Sequence, residues 1–229
     1  MGEKDRMSRR SVVGLAVAIL ATSPGNTLAR QEATPSTEPR YVSDFLNLEG
    51  VEEAVGLVAT LPNPSFDVLE AGALYYVWAW GLLFNNQANA TVAGEAFAHA
   101  YRDTMREVRK LWVTPLEEAS VRPLGDESRA WVAKFVNPVD PQRSFPWALV
   151  AVRTDTSVQI LEGASATGNV VTRLADIAEP TLDRWPSNDR RDLNDDQTIG
   201  GVWNILPDLR ELEEGMVIDN IQDLTFALN

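Results

Sequence analysis

Cysteine is absent from the 229-residue chain, and histidine occurs once, as His99. The first absence excludes disulfide scaffolds, zinc ribbons, iron–sulfur ligation, thiol nucleophiles and a lipid-modified N-terminal cysteine. The second excludes metal sites built from several histidines. Bases are scarce as well. Twenty Lys and Arg against 33 Asp and Glu leave a net charge of −13, whereas binding a duplex requires clustered cations, so nucleic acid is not an expected partner. No apolar run reaches the ~20 residues that a membrane span requires, so no stable membrane insertion is expected once a signal is removed. The chain is nevertheless 45% hydrophobic, enough to build one domain with a substantial core.

The N-terminus reads as an export signal: a basic stretch to Arg10, an apolar run from Val12 to Ala21, and a small-residue exit at Thr27-Leu28-Ala29. Ser8-Arg9-Arg10-Ser11-Val12-Val13 resembles the twin-arginine signal family, with Val12 where Phe is common and Gly14 where Lys is common. That resemblance implies export of an already folded chain to the periplasm, the cell surface or the medium. Cleavage after Ala29 would remove four bases and two acids, taking the net charge from −13 to about −15.

Four segments are expected: 1–29 the signal, 30–48 a flexible linker rich in Gln, Glu, Thr, Ser and Pro, 49–186 the folded domain, and 187–229 an acidic C-terminal extension. Apolar spacing over Gly50–Leu61 predicts a short helix ending at Pro62. Ala73–Phe84 is dense in aromatic and β-branched residues and predicts a buried central strand, with an apolar helix as the alternative. A helix with Thr91 as N-cap follows, placing Ala93, Phe97, Ala100, Tyr101, Thr104, Val108, Leu111 and Trp112 on one face. Ala130–Val136 predicts a strand, Trp147–Arg153 and Ser157–Leu161 a hairpin around Thr154-Asp155-Thr156, and Val170–Leu182 a last helix. This irregular order argues against a doubly wound sheet. It predicts an α+β fold: a mainly antiparallel sheet of about four strands with helices packed on one face.

Arg122-Pro123-Leu124-Gly125-Asp126-Glu127-Ser128, the strands ending in Val152-Arg153, and the helix ending in Leu182-Asp183-Arg184-Trp185 together resemble exported sensor-like domains of bacteria. The extracellular sensor domains of mycobacterial serine/threonine kinases are of this type. They are typically disulfide-stapled, and this chain, lacking cysteine, departs from that pattern. The resemblance covers residues 122–185 and implies binding outside the cell, with no catalytic residues to carry over. A fainter echo lies within the chain. Leu61-Pro62-Asn63 leading to Leu69-Glu70-Ala71-Gly72 is mirrored by Leu206-Pro207-Asp208 leading to Leu212-Glu213-Glu214-Gly215, as chance or as the opening of a second repeat.

Chemistry-bearing groupings are few. Glu95, His99 and Asp103 recur every fourth residue along one predicted helix face and could share a cation, although Arg102, Arg106 and Lys110 oppose one. Asp192, Asn194 and Asp196 resemble the opening of an EF-hand calcium loop, with Gln197 in place of the turn glycine and Trp203 in place of the closing glutamate. Calcium is thus the one cofactor the residues suggest. Asp126 after Gly125 reads as a turn carboxylate capping nearby amides, and Trp185 and Trp203 as exposed aromatics for sugar stacking or for packing. No phosphate loop or nucleophile elbow is present. The expected function is an exported soluble α+β module binding a small ligand or an envelope protein. The alternatives are an exported hydrolase using paired carboxylates and an interaction module from a repeated architecture.

Overall fold

The computed structural model describes residues 48–63, 71–107, 112–136, 144–185 and 202–224. Among these residues eight strands form one antiparallel sheet. They are β1 (Val51–Thr60), β2 (Leu74–Phe84), β3 (Trp112–Val113), β4 (Glu117–Ala119), β5 (Glu127–Val136), β6 (Ser144–Thr154), β7 (Ser157–Ser165) and β8 (Val217–Asp223). Their order across the sheet is β3-β5-β6-β7-β2-β1-β8, with β4 also paired to β5. Helix α1 (Gln87–Glu107) follows β2, and α2 (Val170–Ala178) runs directly into a 3-10 helix at Glu179–Arg184. A second 3-10 helix spans Val202–Ile205.

β2 explains the layering. Tyr76, Trp78, Trp80, Leu82 and Phe84 pack with Ala93, Phe97 and Tyr101 of α1, whereas Val77 and Ala79 pack with Leu174 and Ile177 of α2 and with Val202 and Ile205. Successive strand side chains point to opposite faces, so α1 and α2 lie on opposite sides of the sheet. This overturns the expected four-strand sheet with helices on one face. Helical periodicity specifies that a helix has an apolar stripe, but not which face of a distant sheet receives it.

Covering both faces also explains the misreading of Gly50–Leu61, which is strand β1 rather than helix. Ala54 faces the α1 side while Val55, Leu57 and Ala59 face the α2 side. A strand buried on both sides has apolar residues at adjacent positions, and over ten residues that pattern passes for helical spacing. Within α1 the helix begins earlier than Thr91, and Trp112, expected on its apolar face, lies in β3 instead. The Asn86 side chain accepts the backbone N–H of Asn89 at 2.9 Å, whereas the Thr91 hydroxyl donates back to the Gln87 carbonyl. The β6–β7 hairpin turns in two residues, with Asp155 at φ +55°.

Residues 202–224 of the acidic C-terminal segment return to the sheet. Val202, Ile205, Leu206, Leu212 and Met216 are buried on the α2 side, and β8 pairs with the outer edge of β1. The echoed turns meet here. Gly72 and Gly215 adopt left-handed φ of +87° and +85°, and each leads into a strand flanking β1. Thr60 of β1 is opposite Tyr76 on one side and Val217 on the other.

Candidate functional site

Three features could carry function: a buried glutamate under α1, a set of arginine-centred ion pairs, and the C-terminal segment with its exposed apolar side chains. Glu162 sits in β7 between Trp78 of β2 and Leu149 of β6, fully buried. Its Oε1 accepts the Tyr76 hydroxyl at 2.6 Å and the Trp147 indole N–H at 2.8 Å. Two hydrogen bonds from neutral donors offset part of the cost of burying this polar side chain. Aromatic rings surround it. Tyr101 of α1 stacks on Trp147 at 6.3 Å and meets Trp80 edge-on at 5.5 Å, and Phe97 lies 4.8 Å from Trp80. Nearby, burial pushes the Tyr75 hydroxyl up to about 12, so it stays protonated at neutral pH. Sequence reasoning missed Glu162, because a lone glutamate in a strand ordinarily marks the solvent side. The one available signal was the apolar run Val158–Ala164 on both sides of it.

On the opposite face Gln159 joins the two 3-10 helices. Its Nε2 donates to the Thr181 hydroxyl and to the Ile205 carbonyl, and the Trp185 indole N–H also reaches Thr181. Trp185 is therefore a buried packing residue, not an exposed stacking platform, whereas Trp203 is 43% exposed.

The surface carboxylates are organised around arginines. Arg129 holds Glu95 at 2.7 Å and Glu118 at 3.1 Å while lying 5.1 Å over the Trp131 ring. Arg122 holds Asp176 and Glu179, and Arg184 holds Asp208 and Glu211. Arg153 lies between Asp126 and Glu127. Hydrogen bonding from Arg129 lowers the Glu95 carboxyl from its ordinary value, and Arg210 does the same to Asp208. Carboxylate-pair hydrolysis needs one member with a raised pKa, and a guanidinium between the two acts in the opposite direction. These pairs are built to hold elements together.

The sequence-predicted residues scatter. Glu95 is committed to Arg129, His99 is exposed, and the Asp103 side chain lies outside the described residues. Among the described residues no three acidic or histidine side chains converge on a metal-sized space. Asp192, Asn194 and Asp196 lie outside the described residues, as do Arg9, Arg10 and Ala29. Asp126 accepts the Asp155 amide at 2.7 Å, the turn-capping role its glycine neighbour suggests. No helix among the described residues is long and apolar enough to cross a membrane.

The C-terminal segment, with its exposed apolar side chains, is the remaining feature. Five large hydrophobic side chains are exposed among the described residues: Val92 on α1, and Trp203, Leu209, Val217 and Ile221. Four of the five fall within the segment that carries the second 3-10 helix and β8, while the other margin ends in the short strands β3 and β4.

The chain thus belongs to the class of antiparallel sheets covered by a helix on each face. No protein-family model matches it, and no curated protein matches it. Among solved structures it is similar to the extracellular domain of PknH from Mycobacterium tuberculosis. Identity is 12%, the TM-score is 0.38, and the match covers 72% of this chain and 90% of that one.

Proposed function

We propose that the chain is an exported binding module of the cell envelope that engages a protein partner through the C-terminal margin of its sheet. The carrying observation is the concentration of exposed Trp203, Leu209, Val217 and Ile221 in one segment. Soluble proteins expose single apolar residues everywhere, but several within one short segment are the usual mark of an interaction surface. On this reading Arg9 and Arg10 route the folded chain outward, cleavage after Ala29 releases it, and residues 30–48 tether the domain flexibly. Asp192, Asn194 and Asp196 would supply a weak calcium site beside the same margin of the sequence.

A photo-crosslinking residue placed at 203 or 221 in the full chain, expressed in exporting cells, tests the surface. Discrete adducts at both positions, and none from position 92 on the far helix, are expected. Equal yields at all three, or none at 203 and 221, would refute the reading.

A further inference from the structure

Arg184 closes the first 3-10 helix, whose Thr181 is buried, donates to the Ala178 carbonyl, and receives Gln159 and the Trp185 indole N–H. Its guanidinium therefore starts from a fixed base. Nη2 donates to the Leu206 carbonyl at 3.0 Å and to Oε2 of Glu211 at 2.6 Å, and Nη1 lies 3.6 Å from Oδ2 of Asp208. All three groups belong to the stretch that presents Trp203 and Leu209. The Leu206 N–H bonds the Trp203 carbonyl at 3.2 Å, so a hold on Leu206 fixes the end of the turn that carries Trp203. Oε2 of Glu211 also accepts the Asp208 N–H at 2.8 Å, and the Glu211 N–H returns to the Asp208 carbonyl at 3.1 Å, enclosing Leu209 between them.

This tip is held differently from its flanks. Leu206, Pro207 and Leu212 are buried, whereas Leu209 and Arg210 are exposed and Asp208 and Glu211 half-buried. With no buried apolar side chain in Asp208–Glu211, the tip takes its shape from polar bonds rather than from core packing. The Glu211 side chain is only 13% exposed, so its pairing with Arg184 is little screened. Apolar residues dock well only in one arrangement, and affinity falls in proportion to the fraction of time that arrangement is populated. We infer that Arg184 is a positioning residue for the docking surface: through Leu206, Asp208 and Glu211 it holds Trp203 and Leu209 in the arrangement the partner meets. This inference rests on the C-terminal docking surface proposed above and names the group that keeps part of it ready to bind.

The test compares Arg184→Met with Arg184→Lys in the full chain, expressed in exporting cells with a photo-crosslinking residue at 203 or 209. Methionine should cut adduct yields at both positions about five-fold or more. A lysine ammonium has donors enough for both the Leu206 carbonyl and Glu211, so it should restore most of the yield. In the purified chain, amide exchange at Asp208 and Glu211 should quicken about ten-fold in the methionine variant, with β5–β7 unchanged and the melting midpoint within about 4 °C. Arg184→Met with Glu211→Gln leaves no lone carboxylate behind and should show the same loss of adducts on an intact fold. Undiminished adducts with methionine, no rescue by lysine, or unaltered exchange at Asp208 and Glu211 overturns the inference and leaves the docking surface standing. Faster exchange throughout β5–β7 in both the single and the double variant also overturns it, because Arg184 would then hold the whole fold and not the tip. Absence of adducts from the unaltered chain removes the docking surface, and the inference with it.

Discussion

Gly94 sits in the buried face of α1 where the helix comes closest to β6. A Cβ added there would lie 2.7 Å from the Cβ of Ala151 and 3.5 Å from Cη2 of Trp131. The second distance is an ordinary contact, but the first is not, and a methyl fixed to strand backbone cannot rotate away. Gly94→Ala therefore sets two effects against each other. Replacing glycine by alanine in a helix interior gains about 1 kcal/mol, while forcing a methyl into a filled core costs about 1–3 kcal/mol. With so short an approach the overlap falls in the upper half of that range, for a net loss of about 1–2 kcal/mol. In an Ala151→Gly background the obstruction is gone and the same substitution should stabilise by about 1 kcal/mol. The sign of the effect should reverse, a coupling of about 2–3 kcal/mol. Urea unfolding of the four proteins measures it directly. Equal effects of Gly94→Ala in both backgrounds would refute the contact between α1 and β6 on which the layering depends.

Tyr76→Phe and Trp147→Phe each remove one donor from the buried Oε1 of Glu162, and each should cost about 1–3 kcal/mol in urea unfolding; a loss below 0.5 kcal/mol in both (about the scatter of neutral surface changes) would mean the carboxylate is not held as described. Glu95 has a lowered folded pKa, so its pairing with Arg129 stabilises fully above the ordinary carboxylate range and fades as pH falls through the lowered value. Arg129→Met should move the Glu95 carboxyl titration, followed by NMR, back up toward its ordinary value, and an unmoved midpoint would reject the pairing. If Asp192, Asn194 and Asp196 hold calcium, melting should rise in millimolar calcium and fall back with chelator, and identical midpoints would dismiss the site. Changing Arg9 and Arg10 together to lysine should abolish export, and undiminished secretion would dismiss the twin-arginine reading.

Local structure was legible wherever a segment's neighbours leave an imprint on its own composition. β2, the β6–β7 hairpin and both helices follow from aromatic density, a short polar turn and a one-sided apolar stripe. β1 was misread because both of its faces are covered. β8 gave no signal at all: an exposed acidic strand whose one inward partner is a distant β1 has no periodicity to show. With the short strands β3 and β4 also unread, the strand count among the described residues rose from about four to eight. Trp185 misled in the same manner, since a tryptophan beside an acidic loop looks like a surface aromatic until Thr181 and the 3-10 helices close over it.

Composition alone settled part of what chemistry is missing: without cysteine and with one histidine, thiol and multi-histidine roles are closed whatever the fold, and a net charge of −13 argues against duplex binding. Residue type and spacing are local properties, and they also settled most of the elements. Tertiary structure alone decided which side of the sheet each helix covers, that Glu162 is buried between Tyr76 and Trp147, and that β8 returns to pair with β1 across more than 150 residues. Those facts depend on pairings between residues far apart in the chain, and the free energy of such a pairing is carried by neither partner's own segment.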